Sequence, residues 1–166
     1  MAGKWGLTLV PALVVVVLDQ VTKALVLARM ELHQSIPVVQ DYFALTYVRN
    51  TGAAFGILAG RFAGFRVPAL LAVSLLALFV LLWFVRTIPA ERRAVIVACG
   101  GVLGGAIGNM IDRAAYGEVI DFLDVYVGTY HWPAFNVADA AITVGVVVLC
   151  LDAIRGAPAP ERSSAL

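Results

Sequence analysis

The chain has 166 residues, of which 61% are hydrophobic and 14% charged, and its mean hydropathy is +0.92. That balance excludes an ordinary soluble domain and places the chain in a membrane. A formal net charge of +1 excludes the basic excess of a nucleic-acid binder or a polybasic lipid anchor.

Crossing a bilayer takes about 20 mostly apolar residues, and four segments meet or approach that length: about 5–28, 67–85, 94–111 and 137–154. The first begins like a signal peptide, but its apolar run continues past Asp19 with no small-residue cleavage site, so it is expected to stay as a span. Near its end DQVTK sets Asp19 and Lys23 at i and i+4 on one helix face. Such a pair either ends the span by snorkelling or supports a site.

Between the first two spans, FALTYV (43–48) alternates as a half-buried strand does, and NTGAAFG (50–56) follows as a glycine-containing turn. The fold class expected is therefore an all-α membrane protein of four transmembrane helices and one domain, with a small extracytoplasmic β element between helices 1 and 2. A short loop with Arg86, Arg92 and Arg93 joins spans two and three, and Lys4, Arg155 and Arg162 fall on the same side. The other side carries as many cations, but the density of charge in the short loop favours that side as cytoplasmic, with both termini inside. Trp5 and Trp83 then mark one interface and Trp132 the other.

In the third span Gly100, Gly104 and Gly108, and also Gly101 and Gly105, recur at the small-xxx-small spacing that lets a neighbouring helix approach closely. Asn109, Asp112 and Arg113 follow on one face, the last two as a helix-terminal ion pair or as part of a site. VIDFLDV places Asp121 and Asp124 in a loop before span four, where aspartates are usually solvated. FNVADAAITVG then brings Asn136 and Asp139 to the mouth of the last span. An ionisable group at that depth is a functional-site hypothesis by default. Cys99 and Cys150 lie in apolar runs with no CxxC or Cys/His cluster and read as buried small hydrophobes. The tail from 156 to 166 is Pro/Ala/Ser-rich and is expected to be disordered.

Up-down-up-down topology puts the end of span one, the end of span three and the start of span four at one membrane face. Nearly all the intramembrane polar groups meet there. The inventory contains no HExxH, no GxSxG and no phosphate-binding loop, and His33 and His131 stand alone in outer loops. Carboxylates remain. Two carboxylates a few ångströms apart cannot both ionise easily, so they can share a proton and activate water, with Asp112, Asp121, Asp124 and Asp139 all admissible members.

The ordered blocks DQVTK (19–23), NTGAAFG (50–56), GGAIGNMIDR (104–113), VIDF (119–122) and FNVADAAI (135–142) resemble lipoprotein signal peptidase, the signal peptidase II family of bacterial aspartic membrane peptidases. The resemblance implies that Asp121 and Asp139 are the catalytic pair. Asn50, Gly52, Asn109, Arg113 and Asn136 would line the site, supported by Asp19, Lys23 and Asp112. It also implies a multi-pass enzyme of the bacterial inner membrane with its site at the outer face, beneath an extracytoplasmic β-cradle with a lid-like part. The expected reaction removes the signal peptide from a diacylglyceryl-modified prolipoprotein on the amino side of the lipidated cysteine. Water is the nucleophile, no metal or other cofactor is needed, a monomer is expected to suffice among membrane lipids, and globomycin-type cyclic peptides are expected inhibitors. Two rival readings are an ion-coupled transporter using Asp19, Asp112 and Asp139 as a relay, and a structural subunit assembled through the glycine rows. A transporter would place its charges nearer the midplane and often shows inverted repeats, which this sequence lacks.

Overall fold

The computed structural model describes residues 2–52 and 63–156. The spans are carried by α1 (Ala2–Arg29), α2 (Ala63–Thr87), α3 (Arg93–Tyr116) and α4 (Val137–Gly156), all four long and apolar enough to cross a membrane. Each helix outruns its apolar stretch. For α3 this matters to function, because Asn109, Asp112 and Arg113 lie within the helix and do not form its end. Gly117 terminates it, with φ 76° and its N–H donating to Arg113 O, a left-handed closure that suits glycine.

α3 is the central helix: 56% of its apolar window is buried, against none of that in α2. Lipid tails are as apolar as leucine, so helices here associate through close packing, and the glycine rows provide it. A methyl group at Gly104 would stand 2.5 Å from Ala12 O of α1, and one at Gly105 would collide with Ala138 O of α4. Cys99 is buried in α3, whereas Cys150 is exposed on α4, contrary to the expectation that both are buried.

Both described ends of the chain lie at one end of the bundle. There Lys4 donates to Arg86 O and Ile88 O of the α2–α3 connection, and Arg92 meets Asp152 of α4 at 2.7 Å. Val85, Ile88, Val95, Ile96 and Cys99 form an apolar cluster beside them.

The opposite end carries an antiparallel sheet, β1 (Ser35–Val39), β2 (Phe43–Asn50), β3 (Val119–Val127) and β4 (Tyr130–His131), in that spatial order. The β element foreseen between α1 and α2 is present, and it is enlarged by the α3–α4 connection, which the sequence reading treats as a loop. That segment is rich in β-prone Val, Ile and Phe, but Asp121 and Asp124 break its alternation. Pairing with β2 compensates, opposing Asp121 to Val48 and Asp124 to Ala44 across a β2 bulge, and both carboxylates are buried. Val26, Tyr47, Ile120 and Phe122 seat the sheet on the end of α1. The remainder of NTGAAFG after Gly52, and the tail beyond Gly156, lie outside the described residues.

Candidate active site

Lys23 is the hub of the polar cluster, and only 2% of it is exposed. Its ammonium lies 2.8 Å from Asp19 Oδ2, 2.8 Å from Asp112 Oδ2 and 3.0 Å from Asn109 Oδ1. Three donors meet three acceptors, so a charge that would be costly in a low dielectric is satisfied. The DQVTK pair therefore does not snorkel. Asp112 turns to Lys23 and not to Arg113, which revises the helix-terminal ion pair.

Those two carboxylates also fasten other elements. Asp112 Oδ2 accepts the N–H of Ile120 at the start of β3 (3.1 Å), and Asp19 Oδ1 accepts the N–H of Ala138 in the first turn of α4 (3.0 Å). Gly108 makes the contact possible, because a methyl group there would stand 2.5 Å from Asp19 Oδ2. The sequence reading missed Gln20, whose amide donates to Asp112 Oδ1 at 3.0 Å and to Gly108 O at 3.2 Å. Its signal was its place inside DQVTK.

The entrance of α4 is a reciprocal cap. Asn136 Oδ1 accepts the N–H of Asp139 (2.9 Å), while Asp139 Oδ2 accepts the N–H of Asn136 (3.3 Å). This is capping-box logic with Asn and Asp in the two roles, and it holds the Asp139 carboxylate at the helix mouth, where the macrodipole favours a negative group. Asn109 Nδ2 donates to Asp139 Oδ1 at 2.8 Å. Because Asn109 Oδ1 faces Lys23, the ammonium fixes which way that amide points.

Asp121 reaches the same place from β3. Its Oδ1 accepts from Asn136 Nδ2 at 2.7 Å and its Oδ2 from Asn50 Nδ2 at 2.9 Å. Asn136 thus contacts both carboxylates, Asp121 through its side chain and Asp139 through its backbone N–H. Burial, reinforced by the nearby Asp139 charge and opposed by the two amides, pushes the Asp121 carboxyl up to about 6.

Asn50 also accepts the N–H of Gly52 at 2.8 Å, and Gly52 takes φ 71°, the left-handed conformation glycine tolerates. Arg113 lies next to it and within Coulombic reach of Asp139, Asp112 and Asp121. Its Nε is buried with no hydrogen-bond partner among the described residues. The structure thus gathers Asp19, Lys23, Asn50, Gly52, Asn109, Asp112, Arg113, Asp121, Asn136 and Asp139 into one cluster. Asp124 does not join it. Its carboxylate accepts from Thr46 Oγ1 (3.0 Å) and pairs with His131 Nδ1 (2.9 Å), so neither Asp124 nor His131 is isolated.

Comparison with known proteins agrees with this arrangement. The family model for signal peptidase (SPase) II matches residues 11–155. Lipoprotein signal peptidases of Geobacter sulfurreducens and Syntrophotalea carbinolica are 51% and 50% identical, over 84% and 90% of this chain and 86% and 91% of their own lengths. A solved bacterial membrane enzyme superposes with a TM-score of 0.82 at 32% identity, covering 92% of this chain and 95% of that one. Together with these matches, four membrane-capable helices among the described residues, closed at one end by a sheet over a buried carboxylate cluster, make this protein a multi-pass membrane peptidase. Within that class the chain belongs to the signal peptidase II family.

Proposed function

We propose that this peptidase removes the signal peptide from diacylglyceryl-modified prolipoproteins, cleaving on the amino side of the lipidated cysteine with a water activated between Asp121 and Asp139. One observation carries the reading. Two carboxylates from different elements, β3 and α4, are held by the same residue, Asn136, above a buried Asp19–Lys23–Asp112 base that ties α1, α3, β3 and α4 together. The relatives' shared name supplies the substrate class.

In this mechanism Asp121, with its carboxyl near 6, holds the proton shared by the pair and donates it toward the scissile carbonyl oxygen. The Asp139 carboxylate takes a proton from the water as its oxygen attacks the carbonyl carbon. The tetrahedral intermediate then collapses, and the amine of the lipidated cysteine leaves with a proton from the dyad. No covalent acyl-enzyme forms. Arg113, Asn50 and Gly52 stand where they can hold the substrate backbone, and Arg113 Nε, which has no hydrogen-bond partner among the described residues, supports that role.

The sheet end faces outward from the bacterial inner membrane, with both termini cytoplasmic. Support comes from Lys4, Arg86, Arg92 and Arg93 clustered in and around a short connection at the other end. The substrate's acyl tails then stay in the bilayer while its peptide bond meets the site at the surface. One chain supplies the whole cluster, so a monomer suffices, and globomycin-type cyclic peptides compete for it. The test is cleavage of a diacylglyceryl-modified prolipoprotein by purified protein in micelles. Asp121→Asn and Asp139→Asn should each lower the rate about 1,000-fold with helical circular dichroism preserved. Full activity in either variant overturns the dyad.

A further inference from the structure

At the end of the bundle opposite the sheet, a cavity of about 630 Å³ opens between the start of α1 and the connection into α3, walled by Gly3, Lys4, Leu7, Ala90 and Arg93. A second hollow of about 370 Å³ lies further along the same two helices, between Pro11 of α1, Val97 and Gly101 of α3, and Gly145 and Val148 of α4. Helical spacing joins them. Lys4, Leu7 and Pro11 fall at i, i+3 and i+7 on one face of α1, and Arg93, Val97 and Gly101 at i, i+4 and i+8 on one face of α3. The two hollows therefore succeed each other along one groove. Lys4 and Arg93 stand at its mouth, and roughly 10 to 12 Å of helix deeper its walls carry no polar side chain among the described residues.

The mouth holds a fixed positive charge. Lys4 uses two of its three ammonium donors on Arg86 O and Ile88 O, which anchors the charge and leaves one donor over. Arg92 neutralises Asp152, whereas the Arg93 guanidinium has no partner among the described residues. Glu91, the acid on the same connection, is exposed and stands outside the walls. A phosphodiester suits such a mouth, because ammonium and guanidinium groups both bind phosphate oxygens and the guanidinium can do so in bidentate fashion. A free anion would leave the apolar depth unused. A peptide laid there would bury N–H and C=O groups without partners. A molecule with phosphate at one end and hydrocarbon at the other fits both parts, and the bilayer presents it at this level.

We infer that this groove holds one anionic phospholipid of the adjoining leaflet, its phosphate against Lys4 and Arg93 and an acyl chain along Leu7, Pro11 and Val97. The site is separate from the carboxylate cluster and does not depend on the proposed reaction. A lipid seated there touches α1, α3 and α4 together, the helices whose far ends carry the cluster, and so braces their packing.

The experiment titrates purified full-length protein in non-ionic micelles with phosphatidylglycerol, phosphatidylcholine or inorganic phosphate, reading retention by native mass spectrometry and stability by melting temperature. Phosphatidylglycerol should be retained as a single adduct and raise the melting temperature, and the other two should do neither. Lys4→Gln and Arg93→Gln should each weaken retention about fivefold. Lys4 also ties down the α2–α3 connection, so Arg93→Gln decides the matter if the Lys4 variant fails to fold. Val97→Trp, made at a position 40% exposed, fills the trough and should weaken retention several-fold with both charges intact. Phosphatidylcholine held as tightly as phosphatidylglycerol overturns the inference. So does retention unchanged in both Arg93→Gln and Val97→Trp, or displacement of the lipid by inorganic phosphate, which would assign the mouth to a free anion.

Discussion

At the end of the bundle that carries both described ends of the chain, Val85, Ile88, Val95, Ile96 and Cys99 pack as an apolar cluster, and the ion pair there, Arg92 with Asp152, is partly open to its surroundings. At the sheet end, Asp19, Lys23, Asn109, Asp112, Asp121 and Asn136 are buried as deeply as those hydrophobes. Packing alone would favour the first arrangement at both ends, because an apolar replacement of a buried ionic network is often neutral or stabilising. Persistence of the second at one end only is what the proposed site requires, stability being given up there for chemistry. The cost is contained by the satisfaction of Lys23 on all three donors and by carboxylates that double as caps for α4 and β3.

The largest expected effect tests that containment. Lys23→Met keeps most of the volume but leaves Asp19 and Asp112 buried without their cation, and should cost about 3–5 kcal/mol in unfolding experiments in micelles. Adding Asp112→Asn should recover part of the loss. At the other end Ile96→Val, also fully buried, should cost only about 0.5–1.5 kcal/mol. Equal costs at the two ends would erase the distinction between them.

A second prediction has the opposite sign. The Asp121 carboxyl is raised to about 6 in the folded protein, against roughly 3.9 in an unfolded chain. Below about pH 4 it is protonated in both states and costs nothing. As pH rises from about 4 to 6 the unfolded chain releases this proton first, so stability falls. Asp121→Asn removes the penalty and should stabilise the protein by up to about 3 kcal/mol above pH 6, with the gain fading below about pH 4. A melting-temperature difference independent of pH would show that burial of this charge carries no cost. Such a trade of stability for activity is common at functional sites.

The row of Gly101 and Gly105 sharpens the comparison further, because both of its members face α4 yet differ in tightness. An added methyl at Gly105 collides with Ala138 O, one residue from Asp139, while at Gly101 it stands 3.6 Å from Ala141 O, an ordinary contact. Gly105→Ala should therefore destabilise by about 1–3 kcal/mol and slow cleavage, and Gly101→Ala should do neither. If both variants lose activity alike, close approach of α3 to α4 is not what sets Asp139 in place.

Much of the cluster was legible in advance because a carboxylate or amide inside an apolar run stands out. Asp19, Asn109, Asp112, Asn136 and Asp139 meet as alternating span directions require. Partner choice was hidden. Nothing in the spacing of DQVTK says that Lys23 also takes Asp112 from another helix, or that Gln20 reaches Gly108 O, because both depend on how closely α1 and α3 approach at the glycines. Strand β3 was hidden for another reason. Its two aspartates mimic a solvated loop until β2 pairs with the backbone, and Thr46 and His131 claim Asp124.

The smallest effect belongs to the exposed ion pair at the terminal end. Arg92 and Asp152 meet at 2.7 Å, yet their side chains are 45% and 31% exposed, so surrounding dielectric and salt weaken the attraction. Asp152→Asn should cost at most about 1 kcal/mol, and less as salt is raised. The same aspartate-to-asparagine change at Asp19 removes a charge balanced against a fully buried ammonium and should be insensitive to salt. A short ion pair seen at either end therefore has two meanings, and it is burial, not distance, that separates them. Were Asp152→Asn as damaging as Asp19→Asn, the terminal end would also depend on charge, and the contrast from which the site was inferred would fail.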